Sequence, residues 1–367
     1  MTLPQPRPGV MDIPIYEGGK SRIAGVSRVI KLSSNEAALG PSPKAVAAYR
    51  DASAKLHRYP AGDSAELRAA IAEVERVDAA RIVCGQGSDE ILCLLCRAYA
   101  GPGDEVIHTA HAFAIYRIYA LSVGAAPVAV AERNLTTDVD AILRAVTPAT
   151  RVVFLANPNN PTGTYIGAAE VERLRAGLRP DILLVLDAAY CEFMDVADYD
   201  SGMALAATVD NVFVTRTFSK IQGLAALRIG WGYGHAAIIA TLERLRAPFN
   251  VSAPAQAAAA AAIRDRAHFE KSVAHNAKWR AVMVQRLRGL GLDLPFASAN
   301  FVLPRFDGVG GRTAAAADAF LQAKGIIARR VESYGLPQHL RITIGADDEN
   351  EAVLNALTEF MESRRGG

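Results

Sequence analysis

Cysteine is scarce in this chain, and its few copies are not arranged for covalent or metal chemistry. The four cysteines are Cys84, Cys93, Cys96 and Cys191, a set without the spacing of a small disulfide scaffold. Cys93 and Cys96 lie three residues apart in an apolar stretch that offers no partner ligands, so we interpret them as small core side chains. The sequence therefore predicts no metal site and a reduced, cytoplasmic location.

An excess of charge of one sign and long apolar runs are also missing. The chain has 40 lysines and arginines against 38 aspartates and glutamates, a net charge of +2, which disfavours nucleic-acid binding. Its alanine-rich run at residues 257–263 is far too short to cross a bilayer. The proline-rich N-terminus lacks the apolar core of a signal peptide. We therefore expect neither nucleic acid nor a membrane among the partners.

The 367 residues, 51% of them hydrophobic, are enough for a large core and divide into two regions of different pattern. Short apolar strands alternate with amphipathic helices over residues 42–251, which predicts an α/β fold with a mostly parallel sheet covered on both faces. Long helices and a few short strands follow. We predict a large domain over 42–251, and a second unit in which an N-terminal arm (1–41) joins a small α+β domain (252–367).

One lysine lies where a buried strand is predicted to end. Residues 217–220 (TFSK) follow the apolar run 211–215, and Arg228 comes eight residues after Lys220. The amine would face a crevice at the sheet edge, beside hydroxyls and a guanidinium suited to a phosphate ester. For this segment alone, a solvated lysine is an equally good interpretation.

Two segments upstream make a cofactor site the better interpretation. Residues 157–163 (NPNNPTG) follow the apolar run 151–156, and residues 187–190 (DAAY) follow the run 182–186. Each alone would pass as a turn or as a helix start. Because ligands bind at the carboxyl ends of parallel strands, three such strand ends in order predict polar contacts to one planar heterocycle.

These segments resemble the fold type I, aspartate-aminotransferase-like pyridoxal phosphate (PLP) enzymes and, within them, the histidinol-phosphate aminotransferases. The resemblance extends over nearly the whole chain. Its further segments are 32–36 (LSSNE), 57–60 (HRYP), 85–90 (GQGSDE), 334–336 (YGL) and 340–345 (LRITIG). It implies PLP as the cofactor and a homodimer as the assembly.

The resemblance implies three catalytic groups. Lys220 would bind the cofactor covalently and then move a proton during the reaction. Asp187 would pair with the ring nitrogen, since a buried carboxylate without a partner would be costly. Tyr190 would donate to the ring 3-oxygen, together with Asn160 from the neighbouring strand.

Further residues are expected around the cofactor. Gly87 and Ser88 precede a helix predicted over 89–99, where backbone amides and the helix dipole favour an anion. The other expected cofactor contacts are Thr217, Ser219 and Arg228 at the phosphate, Phe113 on the ring face, and Tyr59 from the partner subunit.

The expected substrate groups come from the two ends of the chain. Arg341 alternates with apolar neighbours on a predicted strand, and in the resembling enzymes the matching arginine binds a substrate anion with help from Asn160. Arg329 matches a second arginine, although its neighbour Arg330 is an open alternative. Asn35 is also expected at the substrate, as is Tyr16, whose arm would close over the partner's site.

The implied reaction transfers the amino group of histidinol phosphate to 2-oxoglutarate, giving imidazole acetol phosphate and glutamate in histidine biosynthesis. The first alternative is transamination of the aromatic amino acids phenylalanine and tyrosine, and a lower-ranked one is decarboxylation of threonine phosphate. No short motif in the sequence separates these three activities. Departures such as Ala61 and Ile221 affect the expected substrate wall and leave the catalytic groups in place. A binding protein without catalysis is disfavoured, since all of these groups are present together.

Overall fold

The computed structural model describes residues 3–7, 9–16, 18–26 and 28–363. Its strands are β1 (Ile30–Lys31), β2 (Ile82–Gly85), β3 (Glu105–Thr109), β4 (Ala126–Val130), β5 (Thr150–Ala156), β6 (Leu183–Asp187), β7 (Val212–Thr217), β8 (Gly230–Gly234), β9 (Phe301–Val302), β10 (Ile326–Ile327), β11 (Arg329–Arg330) and β12 (Leu340–Thr343). Its α-helices are α1 (Pro43–Ser53), α2 (Ala65–Glu75), α3 (Gly87–Tyr99), α4 (Ile115–Val123), α5 (Val139–Ala145), α6 (Ala168–Gly177), α7 (Met203–Thr208), α8 (Ala236–Leu245), α9 (Ala253–Arg264), α10 (Arg266–Gly289), α11 (Ala314–Ala323) and α12 (Asp347–Glu362).

A seven-stranded sheet forms the centre of the molecule, with the strand order β2-β8-β7-β6-β5-β3-β4. Neighbouring strands are parallel except at β8, which runs antiparallel to β2 and to β7. Alternate residues of β5 enter two different cores, Val153 and Leu155 on one face and Val152 and Phe154 on the other. The predicted α/β fold with a mostly parallel, doubly covered sheet is confirmed.

The helix starts follow local chemistry. Pro43 occupies the first turn of α1, and the Ser42 hydroxyl accepts hydrogen bonds from the amides of Lys44 and Ala45, as expected of an N-cap. Helix α3 begins at Gly87, two residues before the predicted start, so Gly87 and Ser88 belong to its first turn. Their amides therefore point out of the helix end towards the sheet edge.

A second apolar core lies in the C-terminal third of the chain. It is built from α10, α11, α12 and the short strands around β12, with Leu32 from the N-terminal segment. The strands form an antiparallel sheet β11-β12-β9 and a parallel pair β1-β10. The β1-β10 pair joins the N-terminal segment to the C-terminal core of the same chain.

Helix α9 belongs by its contacts to the core of the large sheet, where Ala255, Ala258 and Ala259 are buried. The following helix, α10, contributes Trp279, Met283 and Leu287 to the second core instead. The domain division at residues 251 and 252 stays a prediction, and these contacts favour a boundary between α9 and α10. In the part of the chain that the structure describes, no helix has both the length and the apolar surface needed to span a membrane.

Candidate active site

A cavity of about 280 Å³ opens at the carboxyl ends of β5, β6 and β7. Nearly all of the predicted site residues line it: Tyr16, Asn35, Ser88, Phe113, Asn160, Asp187, Tyr190, Thr217, Ser219, Lys220, Arg228, Arg329 and Arg341. Gly87 lies directly behind the Arg228 guanidinium. Tyr59 is not among the lining residues, and its side chain is 81% exposed.

The last residue of β6, Asp187, places its carboxylate at the floor of this cavity and is only 6% exposed. The Tyr116 hydroxyl donates to Oδ2 at 2.7 Å and the Thr215 hydroxyl to Oδ1 at 3.1 Å. Burial nevertheless raises the pKa of Asp187 to about 6. A cation in the cavity would relieve the cost of its ionised form, so the carboxylate fits a protonated ring nitrogen.

Beyond the end of β7, the chain turns so that Lys220 enters the cavity. The Ser219 amide donates to Thr217 Oγ1 at 3.1 Å, and the Phe218 amide donates to the Ile229 carbonyl at 3.1 Å. These bonds fix the turn that carries the lysine. Lys220 Nζ lies 5.5 Å from the centre of the Tyr190 ring, so the amine and the phenol face the same space.

Two amide side chains orient the groups above the floor. Asn35 Nδ2 donates to the Tyr190 hydroxyl at 2.8 Å, so the phenol proton remains free to be donated into the cavity. Asn160 Oδ1 accepts from Arg341 Nη1, which leaves Asn160 Nδ2 as its donor. Asn35 thus contacts Tyr190 directly, although the sequence suggested only a substrate contact.

An anion cradle lies at the N-terminus of α3. Arg228 Nη1 donates to Ser219 Oγ at 3.3 Å, and a Cβ on Gly87 would stand 2.7 Å from Arg228 Nη2. A Cβ on Gly230 would collide with the amide nitrogen of Ser88. Glycines at both positions let the guanidinium, the hydroxyls and the first amides of α3 converge, the arrangement that binds a phosphate at a helix start.

Two arginines face each other across β11 and β12. Arg341 is 6% exposed, and burial lowers its pKa. Its partners are neutral acceptors, the Asn160 side-chain oxygen and the Ser33 carbonyl at 2.8 Å, and its Nε has no partner among the described residues. Arg329 is its direct cross-strand neighbour. Because like charges opposite one another destabilise a sheet, the pair favours an anion between them.

The neighbouring Arg330 points elsewhere. It forms an ion pair with Glu332 at 2.6 Å and does not line the cavity. Successive side chains of a strand point to opposite faces, so only one of the two arginines can share a face with Arg341. The choice that the sequence left open therefore falls on Arg329.

The family model described as aminotransferase class I and II matches residues 27–357. The chain belongs to this family. Among its relatives, the histidinol-phosphate aminotransferase of Dinoroseobacter shibae is 56% identical, covering 98% of this chain and 99% of that protein. That of Paramagnetospirillum magneticum is 55% identical, with the same coverage of both chains. The aminotransferase is thus similar over 98% of its length to proteins named histidinol-phosphate aminotransferase.

Solved structures agree with this aminotransferase fold. The histidinol-phosphate aminotransferase of Sinorhizobium meliloti in complex with pyridoxal-5'-phosphate has a TM-score of 0.90 at 26% identity, covering 99% of both chains. The aspartate aminotransferase of Thermus thermophilus with maleate has a TM-score of 0.77 at 22% identity, covering 90% of this chain and 91% of that one. The predicted fold type I architecture is confirmed.

Tyr116 and Asp89 are among the residues of the aminotransferase cavity that the sequence did not predict. Tyr116 lies three positions after Phe113, and the two rings meet edge to face with 6.0 Å between their centroids. A buried tyrosine also needs a partner for its hydroxyl. That spacing was the available signal. Asp89 pairs with Arg228 at 3.3 Å, and no pattern in the sequence indicated that contact.

The N-terminal segment reaches the cavity of its own chain. Tyr16 is one of the lining residues, and its ring meets the Phe113 ring edge to face, with 6.3 Å between their centroids. The pairing of β1 with β10 joins a later part of the same segment to the C-terminal core. Closure of the arm over a partner's site stays a prediction.

Proposed function

We propose that this chain is a PLP-dependent aminotransferase that transfers the amino group of histidinol phosphate to 2-oxoglutarate, giving imidazole acetol phosphate and glutamate. The observation that carries the proposal is the facing pair Arg329 and Arg341 on the same cavity as Lys220 and Asp187. Relatives at 52–56% identity that bear this name support the choice of substrate.

The residues present fit the cofactor. The buried carboxylate of Asp187 needs a cation and would hold the ring nitrogen protonated. The cradle of Gly87, Ser88, Ser219 and Arg228 suits a phosphate dianion. Thr217 adds a hydroxyl beside it, and Phe113 offers an aromatic face to the ring. PLP, once bound, draws the electrons of the substrate Cα–H bond into its ring.

The chain's own groups supply the rest of the chemistry. Lys220 would hold the cofactor through its aldehyde and would move a proton to or from the substrate Cα. The Tyr190 hydroxyl already accepts from Asn35, and Asn160 Oδ1 already accepts from Arg341, so the Tyr190 proton and Asn160 Nδ2 are the donors that face the cavity. These two donors would bind the ring 3-oxygen and favour its ionised form.

Arg341 and Arg329 bind the substrate anion. The phosphate of histidinol phosphate occupies their side of the cavity in one half-reaction, and a carboxylate of glutamate or 2-oxoglutarate occupies it in the other. Tyr16, Asn35 and Phe113 complete the wall. Because the guanidinium of Arg341 is held by neutral acceptors, its charge remains available to the ligand.

We also propose a cytoplasmic homodimer in which Tyr59 reaches the cofactor phosphate of the partner subunit. Its exposure and its position outside its own cavity support this role. The two-domain division, with an N-terminal segment joined to the C-terminal domain, belongs to the same proposal.

A half-reaction experiment tests the substrate. Cofactor-loaded enzyme is mixed separately with histidinol phosphate, phenylalanine and threonine phosphate, and the visible absorbance of the Lys220-bound cofactor is followed. Fast loss with histidinol phosphate and slow loss with phenylalanine is the expected result. Equal rates would mean a broad imidazole and aromatic aminotransferase. Carbon dioxide release from threonine phosphate would replace the proposal with a decarboxylase.

A further inference from the structure

An exposed pair of aromatic rings lies outside the cavity. The Tyr59 and Phe249 rings stack at 4.6 Å between centroids with 21° between their planes. Tyr59 is 81% exposed and Phe249 45% exposed. Large aromatic side chains usually bury most of their surface, so a stacked pair facing outwards requires a reason.

The backbone at Phe249 is strained. Its φ is +53°, a left-handed conformation that is an outlier for a bulky residue. Such a conformation persists only where the surroundings fix it, and it concentrates at functional sites. Here it turns the Phe249 ring towards Tyr59 instead of into the core.

The next residue shows what fixes the strained backbone. Asn250 Nδ2 donates to the Cys84 carbonyl at 3.2 Å and to Glu90 Oε2 at 2.7 Å, and Gln86 Nε2 donates to the Asn250 carbonyl at 2.8 Å. Glu90 in turn accepts from the Gln86 amide at 2.6 Å. Phe249 is thus attached to the turn between β2 and α3, which forms the anion cradle.

A second tie joins the two aromatic segments. Gln256 Nε2 donates to the Ala61 carbonyl at 3.1 Å and to the Val251 carbonyl at 2.9 Å. One buried amide therefore holds the chain just after Tyr59 and the chain just after Phe249. The stacked rings rest on a fixed frame, although they themselves are exposed.

We propose that Phe249 is a positioning residue that holds the Tyr59 ring in the orientation needed to reach the partner subunit's cofactor phosphate. The proposal rests on the homodimer proposed above. Phe249 is attached through Asn250 and Gln86 to the turn between β2 and α3 of its own chain. In the proposed dimer, that one turn would therefore support two phosphates: the one bound in its own subunit and, through Tyr59, the one bound in the partner subunit. Phe249 itself touches no reacting atom and acts only through Tyr59.

Hybrid dimers test this directly. Two differently tagged chains are co-expressed and purified through both tags, and Lys220→Ala inactivates one site of each hybrid. In the first hybrid, Lys220→Ala and Phe249→Leu are in one chain and the other is wild type. In the second, they are in different chains. Both hybrids carry the same substitutions, and in each the intact site must borrow Tyr59 from the Lys220→Ala chain.

The apparent dissociation constant for PLP at the intact site is measured in both hybrids from the absorbance of the Lys220-bound cofactor, and the apparent activation constant is measured beside it. Loss of an aromatic pair is worth ~0.5–1.5 kcal/mol, or roughly twofold to tenfold in a binding constant. We expect the first hybrid to need that much more PLP, and the second to match a hybrid with Lys220→Ala alone. Phe249→Tyr in the first hybrid keeps the aromatic ring and should restore the wild-type constant for PLP. If Phe249 made only an apolar contact, leucine would replace it and Phe249→Leu would leave that constant unchanged.

Tyr59→Phe in the same two arrangements separates the possible failures. If Tyr59→Phe weakens only the first arrangement and Phe249→Leu weakens neither, the positioning role is wrong while the dimer stands. If Phe249→Leu weakens only the second arrangement, it acts on its own cradle and the proposal is overturned. If Tyr59→Phe shows no difference between arrangements, the shared site and this inference both fail.

Discussion

Tyr116 and Asp187 share a buried hydrogen bond of 2.7 Å between the phenol oxygen and Oδ2. The tyrosine ring is fixed from behind by Phe154, whose ring stacks on it at 4.7 Å. This bond stabilises the ionised carboxylate that the proposed cofactor requires. Tyr116 is therefore a positioning residue for Asp187.

Tyr116→Phe should weaken cofactor binding. A hydrogen bond to a charged group contributes about 1.5–3 kcal/mol, so the dissociation constant of PLP should rise by roughly tenfold or more. Titration of the cofactor-free protein with PLP measures it. Tyr119→Phe is the matched control on the same helix and should leave the constant unchanged. An unchanged constant for Tyr116→Phe would remove this bond from the cofactor site.

Asp187→Asn should stabilise the cofactor-free protein while weakening cofactor binding. Burial raises the folded pKa of Asp187 from 3.8 to about 6, so its contribution to folding is full below pH 3.8 and is lost as the pH rises to about 6. At 1.36 kcal/mol per pKa unit, the full loss is about 3 kcal/mol.

The difference in free energy of unfolding between Asp187→Asn and wild type should therefore grow in favour of the variant between pH 4.5 and 7. Denaturant titrations of both cofactor-free proteins across that range measure this difference. Other titrating groups contribute equally to both proteins, so their contributions cancel in the subtraction. A difference that stays constant with pH would mean that burial does not raise the pKa of Asp187. PLP should reverse the order, because only the carboxylate can pair with the protonated ring.

Lys220→Ala should abolish turnover and leave PLP bound without a covalent bond. In the proposed function the Lys220 amine both anchors the cofactor and moves the proton, so its removal takes away both roles. Lys220→Arg is the control that keeps the positive charge, and it should also be inactive. Borohydride reduction followed by peptide mass analysis locates the attachment, and turnover by either variant would refute the assignment.

Arg341→Lys should raise the KM for histidinol phosphate far more than it lowers kcat. Lysine keeps the charge but not the planar fork that binds an anion at two points, and truncating one partner of a buried charged contact costs about 2–5 kcal/mol. Arg330→Lys is the matched control, since that arginine pairs with Glu332 outside the cavity. Steady-state kinetics of both variants should differ by at least roughly tenfold in kcat/KM. Equal effects would contradict the assignment of Arg341.

Gly87→Ala should weaken PLP binding through the cradle. The new methyl would stand 2.7 Å from Arg228 Nη2 at a φ of +78°, so the guanidinium must move and the backbone is strained. Gly289→Ala is the control, because a Cβ there would meet nothing within 4 Å. PLP titration of both variants should show a rise only for Gly87→Ala, and equal constants would place the phosphate elsewhere.

The sequence predicts the sheet and the residues at its strand ends well, because both depend on local patterns. Three apolar runs, each followed closely by Asn160, Asp187 or Lys220, mark consecutive strands, and parallel strands bring their carboxyl ends to one edge. The resemblance added Arg341 and Gly87 of the cradle, whereas the role of Gly230 came only from the structure.

The remainder depends on tertiary packing that no local pattern carries. Strand alternation requires that Arg329 and Arg330 face opposite sides, but only the register with β12 shows which one meets Arg341. The contact of Asp89 with Arg228 joins elements far apart in the chain. Helices α9 and α10 are neighbours in the chain, yet they pack into different cores.

The antiparallel return of β8 beside β7 has a consequence for engineering this protein. A parallel neighbour would need a long crossover, whereas here a short segment between Thr217 and Gly230 carries both the lysine and Arg228. The proposed attachment point of the aldehyde and the proposed counter-charge of the phosphate are therefore inherited together. A designer who transplants this one hairpin into another sheet moves both proposed contacts with the cofactor in a single segment, already at their native separation.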